Sequence, residues 1–375
     1  MKRTRTIHLL KATGIAGAES HLLALLPALR PLGVETSVLL LEDPRWPQHA
    51  LRERFAQGGI SVQTLPIRWH LDPSLPARLR ALLEREPFDV LHAHLPHGEV
   101  YGEIAIRTLR QDRFVISRHN DDRFRRWLPL RVVFAPSIRR ADRIIAISRA
   151  VERFLVDVES APSAKVVCIP YGIDADAFAA SARPGVFRRE IGTAEEPLVG
   201  FIGRLVMQKG VDILLRAFAI VERRHAKARL VLAGDGPQRV ALERLARSLG
   251  LRRVSFLGWR ADTANILADV DLLAMPSRWE GFGLVALEAM AFGKPVVAAR
   301  VSALPEIVVP EETGLLVPPG DPEALADAIL AILADPSRAA AMGLAGRDRV
   351  RREFTVERMA ERTADAYFQA RDNTR

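Results

Sequence analysis

The feature that most constrains this 375-residue chain is a recurring alternation of short apolar runs with polar loops and helical stretches. "TIHLLKA", "ETSVLLLED", "ISVQTLPI", "FDVLHAH", "RFVISRH", "DRIIAIS" and "AKVVCIP" form a first series. "PLVGFIG", "ARLVLAGDGP", "VSFLGW", "DLLAMPS", "KPVVAAR" and "TGLLVPP" form a second, with amphipathic helical patterns between them. Continuous rather than alternating apolar runs suit strands buried on both faces, as in a parallel sheet covered by crossover helices. Residues 181–196, "SARPGVFRREIGTAEE", are polar and irregular and read as a linker region. The expected fold class is α/β, with two Rossmann-like doubly wound domains facing across a cleft. The first spans 1–180, the second 197–357, a division the chain length allows. In such sheets ligands bind outside the carboxyl ends of the strands, so the loops after the strands carry the candidate chemistry.

Composition narrows the function classes. A 49% hydrophobic share with 26% charged residues describes a soluble globular chain. No apolar run reaches the roughly 18–20 residues of a membrane span. The apolar stretch of "MKRTRTIHLL" breaks at Lys11, too soon for a signal peptide. A single cysteine, Cys168, excludes an internal disulfide framework and a cysteine metal site, and the expected location is the cytoplasm. The net charge of +9 (54 basic minus 45 acidic) suits phosphate-bearing partners such as nucleotides or anionic lipid. Nucleic acid is not an expected partner, because no zinc, helix-turn-helix or aromatic RNA-binding signature is present.

Two loops of the second half stand out. In "SRWEGFGLVALEAMAFGKPVVA" a helix begins near Leu284, Gly281 and Gly283 let the backbone approach a ligand, and its first N–H groups face an anion. Glu280 projects from the loop, and Glu288 lies one turn into the helix on the face of Leu284. Either both acids accept hydrogen bonds from a sugar-bearing ligand, or Glu280 caps the helix and Glu288 pairs with a buried arginine. In "GFIGRLVMQKGVDILLRAF", Arg204 and Lys209 flank a helix start near Val211. They form either a diphosphate clamp or a pair of solvated surface cations.

In the first half, His92 and His94 share one face of a strand, but no acid or cysteine stands at ligand spacing, so no metal is expected. His92 reads as structural and His94 as an edge of the acceptor cleft. Residues 123–143, "RFRRWLPLRVVFAPSIRRADR", hold seven arginines among Trp, Leu, Val and Phe. The stretch reads either as a helix with an arginine-rich solvent face or as a surface for peripheral membrane contact.

The ordered motifs "GRLVMQKG", "AGDGP", "FLGW", "PSRWEGFGLVALEAMAFGKPVVA", "PEIV" and "TGLLVPPGD" resemble the donor domain of retaining GT-B glycosyltransferases, specifically glycosyltransferase family 4. The family's Glu, seven residues, Glu signature is met by Glu280 and Glu288. The resemblance is dense over 198–325 and looser over 1–180. It implies a nucleotide-sugar donor and an acceptor hydroxyl on a glycan, polysaccharide precursor or lipid-linked molecule, with no metal and no further cofactor. Arg204 and Lys209 would hold the diphosphate and Glu280 the donor sugar, with His119 as the active-site histidine beside that sugar. Glu288 would bond the ribose, and the backbone at Gly203, Gly281, Phe282, Gly283 and Leu284 would complete the donor site. The family's Gly-Gly-x-Glu loop appears here as Ala16-Gly17-Ala18-Glu19, one glycine short, leaving Gly17 to admit a phosphate. His94, Arg118 and Asn120 are the acceptor-side candidates. A terminal helix, 358–375, would cross back onto the first domain, and the enzyme could sit peripherally on the inner face of the membrane. The alternatives are a GT-B-fold nucleotide-sugar epimerase or phosphorylase, or a non-catalytic nucleotide-sugar binding protein. A dinucleotide-dependent dehydrogenase lacks support, because no G-x-G-x-x-G follows the first strand.

Overall fold

The computed structural model describes residues 3–372 apart from positions 13, 16, 69–71, 108, 110–112, 122 and 194. Ala16 of the glycine loop and the last three positions of the expected terminal helix lie outside the described residues. The chain forms two compact units, Met1–Gly172 with Val356–Arg375, and Ile173–Thr355.

The first unit is built on β1 (Thr4–Lys11), β2 (Val34–Glu42), β3 (Ser61–Pro66), β4 (Val90–His94), β5 (Phe114–Arg118), β6 (Arg143–Ala146) and β7 (Val166–Cys168). Their order is β3-β2-β1-β4-β5-β6-β7 and every pairing is parallel. All five residues of β4 and of β5 are buried, which explains why these runs are continuously apolar or hydrogen-bonded. In register, His8 of β1 lies beside His92 of β4, and His94 lies beside Ser117 of β5. The terminal helix Val356–Asp372 belongs to this unit and buries Met359, Ala360, Thr363 and Tyr367.

The second unit contains β8 (Leu198–Ile202), β9 (Arg229–Ala233), β10 (Val254–Gly258), β11 (Leu272–Met275), β12 (Val296–Ala299) and β13 (Gly314–Val317). Their order is β10-β9-β8-β11-β12-β13, again parallel throughout. The strand order reverses between β8 and β11, so the crevice at their carboxyl ends is the switch point where such sheets take ligands. Phe201, Leu214, Phe218, Leu230, Leu232 and Ile329 are among the residues of its apolar core.

The polar stretch 181–196 is not a free linker, and the first unit ends at Gly172 rather than at 180. Ala175–Ala180 and Val186–Glu190 are short helices of the second unit. Phe187 is fully buried, and the carboxylate of Asp269 accepts from the backbone N–H groups of Gly185 at 2.6 Å and Arg188 at 2.9 Å. Arg188 also donates to Asp271 at 2.9 Å. Phe187, Arg188 and the ion pairs of Glu190 with Arg260 and of Glu196 with Arg253 tie this polar segment to the second unit.

Candidate active site

The loops after β8 and β11 are fastened to each other. Gly210 has φ +64°, and a Cβ there would come within 2.1 Å of the Pro276 carbonyl, so only glycine permits this approach. Arg278 N donates to the Gln208 carbonyl at 2.7 Å, and the Gln208 amide donates to the Trp279 carbonyl at 3.2 Å. Arg278 forms a bidentate pair with Asp212 at 2.8 and 2.7 Å, which lowers the Asp212 pKa.

This fastening brings Lys209 against Glu280, Nζ to Oε2 at 2.5 Å, with Ser277 Oγ donating to the same oxygen at 3.2 Å. Glu280 is buried with its carboxylate on Lys209 and Ser277, and it makes no side-chain cap bond to the helix. Helix Leu284–Ala291 opens from Gly283, which holds φ +104°, and no side chain caps its first turn. Its leading N–H groups therefore add positive potential beside the pair. Arg204 follows β8 and is exposed, with no ion pair among the described residues. The two predicted clamp cations thus differ: Lys209 is already compensated by an acid, whereas Arg204 is available. Gly203 leads out of β8, Gly281 is buried, and Phe282 packs its ring 6.0 Å from that of Phe354.

Glu288 sits half-buried on the same helix, and no arginine or lysine pairs with it among the described residues. Burial pushes its carboxyl up to about 7. An unpaired acid on an apolar helix is costly, and hydroxyl donors from a ligand would supply what the fold does not.

The first-unit candidates gather at the carboxyl ends of β1, β4 and β5. Gly17 begins helix Gly17–Leu29, and a Cβ there would meet nothing within 4 Å, so the space beside it is open. His119 follows β5 and is half-buried, its Nδ1 2.5 Å from the Tyr171 hydroxyl. Burial holds it neutral, pushing its pKa down to about 3. Asn120 is the next residue and is also half-buried. Two acceptor-side expectations need correction. His94 does not edge an open surface: it is fully buried, with Nε2 3.0 Å from His8 and Nδ1 3.0 Å from His119. Arg118 is 1% exposed, donating to Glu99 at 2.7 and 2.8 Å and to Glu159 at 2.9 Å. Arg125 joins the same cluster, 3.2 Å from Glu99, with its guanidinium 3.8 Å from the centre of the Phe134 ring.

Sequence reasoning missed Ser277, Asp212 and Arg278 around the second-unit site, and His8, Tyr171 and Tyr367 around His119. The hydroxyl three residues before Glu280 was a readable signal. Tyr367 lies 359 positions from His8, and no spacing rule links them.

Comparison with known proteins assigns this architecture to a class. Residues 15–177 match the family described as Glycosyltransferase Family 4, and residues 196–335 match Glycosyl transferases group 1. The GDP-mannose-dependent alpha-(1-6)-phosphatidylinositol monomannoside mannosyltransferase of Mycolicibacterium smegmatis is 34% identical over 355 residues, spanning 88% of this chain and 89% of its own. A D-inositol 3-phosphate glycosyltransferase of Kineococcus radiotolerans is 36% identical over 255 residues, 62% of this chain and 58% of its own. Among solved structures, Anabaena HepE in complex with UDP and glucose superposes with a TM-score of 0.84 at 25% identity, covering 97% and 99% of the two chains. The fold is that of the two-domain GT-B glycosyltransferases. The chain belongs to glycosyltransferase family 4, and it is a glycosyltransferase that uses a nucleotide-sugar donor and an acceptor substrate.

Proposed function

We propose that this enzyme transfers a hexose from a nucleoside diphosphate sugar to an acceptor hydroxyl with retention of configuration and without a metal. The observation that carries the donor assignment is the arrangement on one helix: an uncapped N-terminus beside the Lys209–Glu280 pair, with the unpaired Glu288 one turn further on. Glu288 would accept from the ribose hydroxyls. The helix N-terminus and Arg204 would take the diphosphate, and Lys209 would turn from Glu280 toward it. That turn frees Glu280 to accept from the hydroxyls of the donor sugar. In the reaction the C1–O bond to the diphosphate breaks and its electron pair stays on the phosphate oxygen. The acceptor oxygen bonds C1 from the same face, and its proton passes to the departing phosphate. Charge grows on the diphosphate as the bond breaks, so the cations stabilise the transition state more than the bound donor. The helix N-terminus, Arg204 and the turned Lys209 would do this without a metal ion.

On the acceptor side we propose a lipid-linked or glycan hydroxyl reached from the inner face of a membrane, in the cytoplasm, with no nucleic-acid partner. Phe124, Trp127, Leu128, Val132 and Val133 are 44–67% exposed within one short stretch. Arg126 and Arg139 are exposed beside them, whereas Arg125 is buried. The outer face of helix Leu128–Arg140 therefore mixes exposed Leu128, Val132 and Val133 with Arg131 and Arg139. Apolar side chains rimmed by arginine suit an anionic bilayer surface.

The donor is tested by thermal shift against a panel of nucleoside diphosphates and their sugars, GDP-mannose and UDP-glucose included, each with and without EDTA. A cognate donor at about 100 times its dissociation constant adds roughly 2.7 kcal/mol of stability. Stabilisation that EDTA abolishes would contradict the metal-free site, and a panel with no stabilising member would contradict the donor assignment.

A further inference from the structure

The first unit contains a buried chain of imidazoles that the donor chemistry does not use. His8 Nδ1 lies 3.0 Å from His94 Nε2, and His94 Nδ1 lies 3.0 Å from His119 Nε2. Beyond His119, Nδ1 meets the Tyr171 hydroxyl at 2.5 Å. Beyond His8, Nε2 stands 3.5 Å from the Tyr367 hydroxyl, which also lies 2.7 Å from His92 Nδ1. His92 Nε2 ends the chain 2.8 Å from Ser117 Oγ. Burial keeps these rings neutral: it pushes His8 and His119 down to about 3, and it is the main cause holding His92 and His94 well below the usual histidine value.

A neutral imidazole has one N–H donor and one lone-pair acceptor. His94 has a histidine nitrogen at each of its own two nitrogens, so it donates to one neighbour and accepts from the other. The choice propagates. If His119 donates from Nδ1 to Tyr171, its Nε2 accepts from His94 Nδ1. His94 Nε2 then accepts from His8 Nδ1, and His8 Nε2 accepts from the Tyr367 hydroxyl. Tyr367 oxygen accepts from His92 Nδ1, and Ser117 donates to His92 Nε2. Two other assignments make every bond: in one all of them reverse, and in the other the Tyr367 oxygen accepts from both His8 Nε2 and His92 Nδ1, so in both His119 carries its proton on Nε2. The tautomer of His119 is thereby tied to groups on β1, β4 and the terminal helix.

His8, His92 and His94 also have nitrogens within 4.8 Å of one another, close enough to suggest a metal ion. Zinc needs lone pairs converging on one point about 2.0–2.1 Å from each nitrogen. Here the His8–His94 ring centroids are 5.2 Å apart and nearly parallel, with 3.0 Å between the facing nitrogens. That combination lays the two nitrogens along the line joining the rings, the geometry of an N–H···N bond rather than of two ligands to one ion. Both nitrogens of His92 are occupied by Tyr367 and Ser117.

We propose that His8, His92, His94 and Tyr367 form a tautomer relay that fixes which nitrogen of His119 carries its proton, and so act as positioning residues for sugar transfer. The catalytic consequence rests on His119 facing the donor sugar; the relay itself does not. The test is long-range proton–nitrogen NMR on histidine-labelled full-length protein, with Tyr367→Phe and His8→Phe variants checked for native melting. The wild type is expected to show His8, His94 and His119 each as a single neutral tautomer, all three protonated on the same type of nitrogen. Tyr367→Phe, which keeps ring and packing, is expected to give a tautomer mixture at His119. The turnover number should fall by about twofold for an even mixture and up to about tenfold for full reversal, the worth of one neutral hydrogen bond, with nucleoside diphosphate affinity unchanged. A tautomer shift without a change in turnover supports the relay and removes His119 from the donor-sugar site. Mixed tautomers in the wild type, or an unaltered His119 in a folded Tyr367→Phe variant, would overturn the relay. Stoichiometric zinc binding that His8→Phe abolishes would overturn it in favour of a three-histidine metal site.

Discussion

Replacing Glu288 by glutamine tests whether its carboxyl is kept for a ligand at the expense of stability. Its ordinary value is 4.5, and burial raises it to about 7 in the folded protein. The unfolded chain releases the proton near 4.5, while the folded chain holds it until about 7. Between these values the folded state binds more protons, so stability falls as pH rises through the window and is level above it. A shift from 4.5 to about 7 corresponds to an upper limit of about 3 kcal/mol. The side chain is half-buried and can relax toward water, so we expect about 1–3 kcal/mol. Glu288→Gln keeps the shape and removes the charge. Urea unfolding should therefore find the variant close to wild type at pH 5 and more stable by that amount at pH 8. Nucleoside diphosphate affinity should move the opposite way, weakening about 10–100-fold, because a charge-assisted hydrogen bond is worth about 1.5–3 kcal/mol. Calorimetry should also show proton release when wild type binds nucleotide near pH 7. A variant no more stable at pH 8, binding nucleotide as wild type does, would refute the reasoning.

Three further outcomes follow from the described contacts. Glu99→Ala leaves the buried guanidinium groups of Arg118 and Arg125 without their main shared partner, and should cost about 3–5 kcal/mol in chemical unfolding; a cost below about 1 kcal/mol would show the cluster to be hydrated. Trp127→Ser with Val132→Ser should reduce cosedimentation with anionic phosphatidylglycerol vesicles while leaving donor hydrolysis unchanged; equal cosedimentation would remove this face as the docking surface. EDTA should leave turnover nearly unchanged, and a strict manganese or magnesium requirement would overturn the metal-free assignment.

The fold class was legible because strand burial on both faces writes itself as unbroken apolar runs. "FDVLHAH" and "DLLAMPS", for example, contain β4 and β11. What escaped sequence reasoning was set by single residues or by distant pairs. Phe187, with the contacts of Arg188 and Asp269, makes a polar stretch part of the second unit, and composition averages these few residues away. Arg125 turns inward onto Phe134 while Trp127 turns outward, so the two readings of 123–143 could not be told apart from the number of arginines. Lys209 and Glu280 were both singled out, but their contact spans 71 positions and depends on Gly210 letting two loops meet. His94 looked like a cleft residue because its neighbours come from β1 (His8) and from the loop after β5 (His119), which spacing within β4 cannot reveal.

Arg204 and Lys209 are proposed to stabilise a diphosphate leaving group. That role is tested most directly by measuring turnover of the cognate nucleotide-sugar, once the panel has identified it, in the Arg204→Ala, Lys209→Ala double variant. Each lost contact should cost about 10²–10³ in turnover number. Exposed Arg204 should cost little stability when removed, within about 1 kcal/mol. Lys209→Ala should cost more, because it leaves Glu280 buried without its cation. The double variant should fold and turn over at least 10²-fold more slowly than wild type, the order expected from one such contact. Turnover equal to wild type in that variant would contradict that role.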